Sequence, residues 1–326
     1  MSHSRCLVCF LAVGIATCAL GDDTVTFRGG KGAQQILRRT GKINDYTGAG
    51  LIITTTSGRQ ETIPAERVIE IETIATPEEL SGDLRYSEGK LTAAIDAYQA
   101  AQSLEPRRWV ARRISAQLVN CYELAGQFNA AGDEFIALVA SDEQTPYFAA
   151  IPLAWRTSAL DAPAVTQASK WLGNDSPTAQ LLGASWLLSG GQREQAMTAL
   201  TALSRDLDPR IAHLAAAQLW RTSLATASSS DLARWQQQIK RMPAEIRAGP
   251  LLVLGDGLTR QDRPEDALLA YLQAPLVYPQ RSALAGEGYL AAARLCEKRK
   301  RTSDAERLLL ELQTKQPIFA KQHLKP

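Results

Sequence analysis

The chain is poorest in the residues that most reactions need. Histidine occurs three times in 326 residues, and one of these, His3, sits at the extreme N-terminus, leaving His213 and His323. A histidine-dependent triad or a histidine-built metal centre has almost no material here. His213 lies inside the apolar run IAHLAAAQLW, where it reads as a residue at a helix interface. Of five cysteines, Cys6, Cys9 and Cys18 cluster at the N-terminus, and only Cys121 and Cys296 follow. That excludes a disulfide framework and predicts two separate buried thiols. Charge of one sign is also missing: 36 Lys and Arg stand against 34 Asp and Glu, a formal net charge of +2. Long-range attraction to nucleic acid or to an anionic membrane is therefore not built in. The glycine clusters RGGKG (Arg28 to Gly32) and GAG (Gly48 to Gly50) lack the GK[ST] ending of a phosphate-binding loop. GASWL at Gly183 lacks the second glycine of a nucleophile elbow. The clusters read as turns, and no catalytic residue, cofactor or metal site is expected.

Long apolar runs are absent with one exception. Residues 6–20 are unbroken apolar or small side chains after Arg5, and Ala19-Leu20-Gly21 precedes two aspartates. The run is too short for a comfortable membrane span. Its length, and small residues three and one before the cut, predict a signal peptide (1–21) cleaved after Gly21. A rival reading takes Ile15-Ala16-Thr17-Cys18 as a lipoprotein box with Cys18 acylated, although Thr17 is an awkward neighbour for such a cysteine. The expected destination is the periplasm or an equivalent extracytoplasmic space, with no transmembrane span after the leader.

Residues 22–75 are rich in Thr, Ile, Val and Gly and alternate with period two, which is β-sheet patterning. Strands are predicted at Gly41 to Asp45, Leu51 to Thr56, Gln60 to Ile63 and Val68 to Thr73, with turns at Tyr46 to Ala49 and at Ser57-Gly58. Thr24 to Phe27 or Gln35 to Arg39 supplies a fifth. Strand lengths and turns over about 50 residues resemble a small SH3-like or Sm-like β barrel.

From Pro77 the vocabulary shifts to Ala, Leu, Gln, Arg and Glu, and a repeat of about 34 residues emerges. In GDLRYSEGKLTAAIDAYQAAQSLEP, the residues Gly82, Tyr86, Gly89, Ala94, Tyr98, Ala101 and Pro106 set the frame. In LGDGLTRQDRPEDALLAYLQAPLVYP, the residues Gly255, Leu258, Ala267, Tyr271, Ala274 and Pro279 fall at matching offsets. Worn copies run through Tyr122, Gly126, Ala131, Phe135 and Leu138; through Leu187, Gly191, Ala196, Leu200, Leu203 and Pro209; and through Cys296, Ala305, Leu309, Leu312 and Pro317. The gaps hold further helical patterns: Ile151 to Thr157 with Val165 to Trp171, and Ile211 to Leu219 with Leu232 to Ile239. A small residue on the first helix admits the second, a Tyr or Phe fills the space towards the next repeat, and Pro stops the second helix. This spacing resembles the tetratricopeptide repeat family over roughly Pro77 to Pro317.

The resemblance implies a mainly α fold: a right-handed α-solenoid of about seven helical hairpins over 76–320, after the small β domain and before a tail at 321–326. Such stacks present a concave groove that accepts an extended peptide or a partner helix. The family's groove positions fall here on Asp83, Tyr86, Asn120, Glu123, Ser185, Asp256, Arg260, Arg294 and Lys298. The expected function is a protein-protein interaction scaffold, and the partner a protein or peptide rather than nucleic acid. The alternative is an envelope polysaccharide-binding or enzyme-accessory protein, which aromatic residues clustered on one exposed β face would favour; only Tyr46 offers itself for such a face, which argues against it. Carboxylates such as Glu78-Glu79 and Glu265-Asp266 open helices and suit the helix dipole. The basic bunches Arg107-Arg108 with Arg112-Arg113, and Lys298 to Arg301, read as solvated turns, or else as docking points for an anionic polymer.

Overall fold

The computed structural model describes residues 22–30, 35–157 and 160–324. The leader and the Cys18 alternative lie outside them. The protein is mainly α with a small N-terminal β module: five antiparallel strands precede fourteen helices among the described residues.

The strands are β1 (Asp23–Gly29), β2 (Gln35–Thr47), β3 (Gly50–Thr55), β4 (Gln60–Ile63) and β5 (Val68–Glu72), in the sheet order β4-β3-β2-β1-β5. Both candidates for a fifth strand form, because Gln35 to Arg39 and Gly41 to Asp45 belong to one continuous strand. Gly41 is where β2 changes partner, pairing with Asp23 of β1 and Thr55 of β3. A Cβ there would lie 2.1 Å from the Thr54 carbonyl oxygen, so the crossing admits only glycine. The inward residues Val25, Phe27, Ile43, Leu51, Ile53 and Ile63 are buried and form the sheet's core.

The module is docked rigidly on the helices by residues the sequence suggested were solvated. Arg112, on the inner side of α3 (Arg108–Leu124), donates to the Tyr46 carbonyl oxygen at 2.8 Å and pairs with Asp45. Arg107 donates to Thr73 Oγ1 at 2.8 Å and to the Ile74 carbonyl oxygen at 3.0 Å, while Glu105 holds its other face. Arg113 turns to Glu79. The Gly48 amide donates to Asp142 at 3.0 Å, and Tyr46 meets Tyr147 edge to face. Only Arg108 of this bunch is left for solvent or another ligand.

Helix starts follow local chemistry. Thr76, Asp161, Ser176 and Asp208 cap helices whose first turn carries Pro, and Ser228 with Asp231 forms a capping box. Four hairpins share one turn: α1 (Pro77–Ser87) with α2 (Leu91–Leu104), α3 with α4 (Phe128–Ser141), α10 (Ala248–Arg260) with α11 (Pro264–Val277), and α12 (Ser282–Lys298) with α13 (Thr302–Lys315). Each turn puts one residue at positive φ: Gly89, Gly126, Asp262 and Lys300. The two clear repeats also share an internal contact. Gly82 faces the Tyr98 ring and Gly255 the Tyr271 ring, and each tyrosine hydroxyl donates to the aspartate after that glycine, at 2.6 Å to Asp83 and 2.7 Å to Asp256.

Two further consecutive pairs are α6 (Pro177–Leu187) with α7 (Arg193–Leu203), which pack as a hairpin, and α8 (Pro209–Ser223) with α9 (Ser229–Arg241), which stand wider apart, α9 lying against α10. In the latter the Trp220 and Trp235 rings stack, with centroids 5.2 Å apart. The seventh hairpin is not formed. Ile151 to Thr157 is extended rather than helical, so α5 (Ala162–Leu172) has no preceding partner of its own and packs on α6. Pro152 carries no amide proton to donate to a helical ladder, and side chains of other helices take up the segment's polar groups. The stack then closes on itself: Tyr86 Oη lies 3.1 Å from Ser282 Oγ, and Leu91 and Leu124 share a core with Tyr289, Leu312 and Phe319 of α14 (Pro317–His323).

Replacing Arg112 with Ala removes one side of a buried, charge-assisted contact, and about 2 kcal/mol of stability is expected to go with it. Urea denaturation checks the loss, and limited proteolysis should show faster cleavage near Ile74.

Candidate functional site

The interior of the closed stack contains a piece of the chain itself. After a 3-10 turn at Phe148–Ala150, residues 151–156 run extended past the inner helices. An extended backbone inside a protein must find partners for its N–H and C=O groups. Two amides bond locally, Ile151 to the Phe148 carbonyl oxygen at 3.1 Å and Leu153 to the Ile151 carbonyl oxygen at 3.0 Å, and side chains supply further partners. Ser185 Oγ accepts from the Ala154 amide at 2.9 Å and donates to the Ala154 carbonyl oxygen at 3.3 Å. Trp186 Nε1 donates to the Pro152 carbonyl oxygen at 3.0 Å. Arg281 and Arg221 each donate at 3.3 Å, to the carbonyl oxygens of Ile151 and Arg156. Trp155 lies flat on Gly249, where a Cβ would fall 1.9 Å from a ring carbon. Arg156 ends the segment between two carboxylates, 2.8 Å from Glu287 and 3.4 Å from Asp256. Burial works against the charge on Arg156, but those two carboxylates more than offset it and hold its pKa above the ordinary arginine value.

Beside this segment a cavity of about 180 Å³ remains open. Its walls are the aromatic rings of Phe128, Trp155, Trp186, Phe319 and His323, the aliphatic Leu124, Leu153 and Leu284, and the charged Glu123, Arg156 and Glu287. The Phe128 and Trp186 centroids are 4.6 Å apart, and Phe319 stacks on His323 at 3.9 Å. Glu123, its side chain 11% exposed, reaches one cation, Arg281, at 3.2 Å. Burial pushes its carboxyl up to about 7, against the pull of Arg281. The Arg281 guanidinium is itself lowered by the same burial.

No protein-family model and no curated protein matches this chain.

The expected groove residues separate into three groups. Glu123, Ser185 and Asp256 converge on the threaded segment and the cavity, although Ser185 is wholly buried and already occupied by Ala154. Tyr86 is spent on ring closure, Asp83 holds Tyr98, and Asn120 is half-buried on α3. Arg260, Arg294 and Lys298 are exposed and are not on the cavity wall. Sequence reasoning missed Trp155, Arg156, Trp186, Arg221, Arg281 and Glu287. The one available signal was Pro152 inside a stretch read as helical. The second basic bunch is partly internally paired, Arg299 with Asp262 and Arg301 with Asp304. Cys121 and Cys296 are both free and buried, and burial raises the Cys121 thiol to about 12. Among the described residues no group of three or more His, Cys, Asp or Glu is placed to hold a metal ion, and no helix is long and apolar enough to cross a membrane.

Two expectations follow. Gly249→Ala drives a methyl into the Trp155 ring and should destabilise the fold by about 1 to 3 kcal/mol in chemical denaturation. The second concerns Glu123, whose folded pKa is raised, so the native state binds its proton more tightly than the unfolded chain does. Its contribution to stability is full below the ordinary 4.5 and is lost as pH rises through about 7. The span corresponds to about 3 kcal/mol. Urea midpoints of Glu123→Gln between pH 4 and 8 should lack that fall; an unchanged slope rejects the assignment.

Proposed function

We propose that the protein is an exported scaffold for protein-protein interaction, holding a segment of a partner protein at the open end of its concave wall. The observation that carries this reading is the threaded segment. The wall meets the backbone of Ile151 to Arg156 with side-chain hydrogen bonds from Ser185, Trp186, Arg221 and Arg281. Side chains so arranged are a way of holding an extended peptide, and the cavity beside Trp155 continues the wall past the point where the chain's own segment stops filling it. A partner that used the middle of the wall would have to displace that segment, whereas one entering at the cavity finds aromatic surface and fixed charges ready. Aromatic anchors of this kind dominate the energetics of most interfaces. An extracytoplasmic location is supported by the leader pattern at residues 1–21.

Affinity capture with residues 22–326 from an envelope extract tests the proposal. Wild type should retain a discrete protein, and Phe128→Ser should weaken retention by about tenfold, the effect of losing one anchoring ring. The double variant Arg260→Ala with Arg294→Ala should retain it unchanged. Equal retention by all three places binding on another surface, and capture of polysaccharide in place of protein favours the accessory-protein reading.

A further inference from the structure

The chemistry of the cavity wall goes further than a site for a partner segment: we propose that the cavity is an organic-cation site, taking an ammonium or guanidinium group between its aromatic rings and the carboxylates of Glu123 and Glu287. The inference rests on the scaffold reading for the source of the cation, a lysine or arginine side chain of the partner segment, and not for its chemistry.

Three observations converge on it. The first is the charge inventory. Three carboxylates, Glu123, Asp256 and Glu287, face two guanidiniums, Arg156 and Arg281. With Glu123 ionised, one negative charge has no counterpart. The other buried guanidinium nearby, Arg221, spends its donors on the oxygens of Ser185, Arg156, Gln218 and Ser189 and is not on the cavity wall. An anionic ligand would meet a group of side chains in which carboxylates outnumber guanidiniums.

The second is the wall material. Trp155, Trp186, Phe128 and Phe319 offer ring faces and edges around about 180 Å³. A cation over such rings gains about 0.5 to 2 kcal/mol, more as water is excluded. The combination of rings with carboxylates selects a cation over a neutral group of the same shape.

The third is the protein's own precedent. The threaded segment ends in a guanidinium, and the wall already grips it: Arg156 lies between Asp256 of α10 and Glu287 of α12. Glu287 therefore borders both the internal cation and the cavity. A second cation entering beside Arg156 is shared between Glu287 and Glu123, and it supplies the charge the inventory lacks.

The proposal carries a pH signature. Glu123 titrates near 7 because it is buried, and it is faced by Arg281, with Glu287, Arg156 and His323 on the surrounding wall. A bound cation favours the ionised carboxyl, so affinity should fall by about tenfold between pH 8 and pH 5.5 as Glu123 takes up its proton. The His323→Phe background keeps an aromatic ring on the wall while isolating the carboxyl.

Isothermal titration of residues 22–326 at pH 8 provides the test, with N-acetyl-lysine amide, N-acetyl-arginine amide, tetramethylammonium and the neutral N-acetyl-norleucine amide as probes. The cations should bind at least about tenfold more tightly than the norleucine amide. Glu123→Gln and Glu287→Gln should each remove about tenfold, with circular dichroism unchanged. If Glu123→Gln does not fold, Glu287→Gln and the pH dependence decide. Tighter binding of the lysine and arginine amides assigns the site to a partner side chain; equal or tighter binding of tetramethylammonium assigns it to a free small ammonium, and both outcomes uphold a cation site. Norleucine amide binding as well as lysine amide, or no cation binding at millimolar concentration, overturns it. Phe128-dependent capture of a partner in that last case leaves the scaffold standing while the cation assignment falls.

Discussion

An extended, non-sheet backbone buried inside a helical stack is the constraint around which the rest of this molecule is arranged. Each unpaired N–H or C=O in such a place costs about as much as a lost hydrogen bond, roughly 1 to 3 kcal/mol. Residues 151–156 present several, and no neighbouring strand exists to take them. The supply comes from Ser185 and Trp186 on α6, Arg221 on α8 and Arg281 at the start of α12. These residues are far apart in sequence, so the segment can be satisfied only when the stack has curled far enough to bring all of those helices around it. The bond between Tyr86 and Ser282 marks the closure of that curl. A flat or open stack of the same hairpins would leave the segment's carbonyls stranded.

The β module is tied to the same constraint from the other side. The chain reaches the threaded segment through the loop after α4, and that loop is what the sheet grips: Asp142 accepts from Gly48, and Tyr147 packs on Tyr46. Arg112 and Arg107 pin the sheet to α3 at the loop's root. The sheet therefore holds the loop that leads into the segment.

Much of this was legible, and the parts that were not share a physical cause. Periodicity finds elements whose neighbours are close in sequence. Gly82 with Tyr98, and Gly255 with Tyr271, are contacts within a hairpin and could be read from spacing alone. The β strands were legible for the same reason, although Gly41 inside an otherwise continuous strand disguised β2 as two pieces. Ring closure and the threaded segment depend on contacts between residues far apart in the chain, such as Glu123 with Arg281. Ile151 to Thr157 has the apolar content of a short helix, and its extended state is imposed by the wall rather than by its own composition. The arginines of α3 were misread because a basic bunch looks alike whether it faces water or a row of carbonyls. Of the groove positions carried over from the repeat resemblance, Glu123, Ser185 and Asp256 lie beside the threaded segment, whereas Arg260, Arg294 and Lys298 are exposed away from it, because spacing within a repeat does not show how far the stack curls.

The charged groups inside the ring argue for a purpose beyond stability. A buried ion pair seldom outperforms apolar packing of the same volume, and here the accounting is worse than usual. Arg156 Nη2 and Arg281 Nη1 are buried without hydrogen-bond partners, and the Glu123 carboxyl is buried deeply enough to titrate near 7. Leucines and phenylalanines would close the same ring more firmly, as the cluster of Leu124, Leu312 and Phe319 on its neighbouring side does. The costly groups are concentrated where the threaded segment ends and the cavity begins. Arg156 and Arg281 are each tied to carboxylates on other helices, which limits their freedom to move. Such preorganisation lowers the entropy lost on binding, because the ligand meets groups already fixed. The closed ring, the internal segment and the unequal charges are in this sense one device: the first two fix in place what the third offers to a cation.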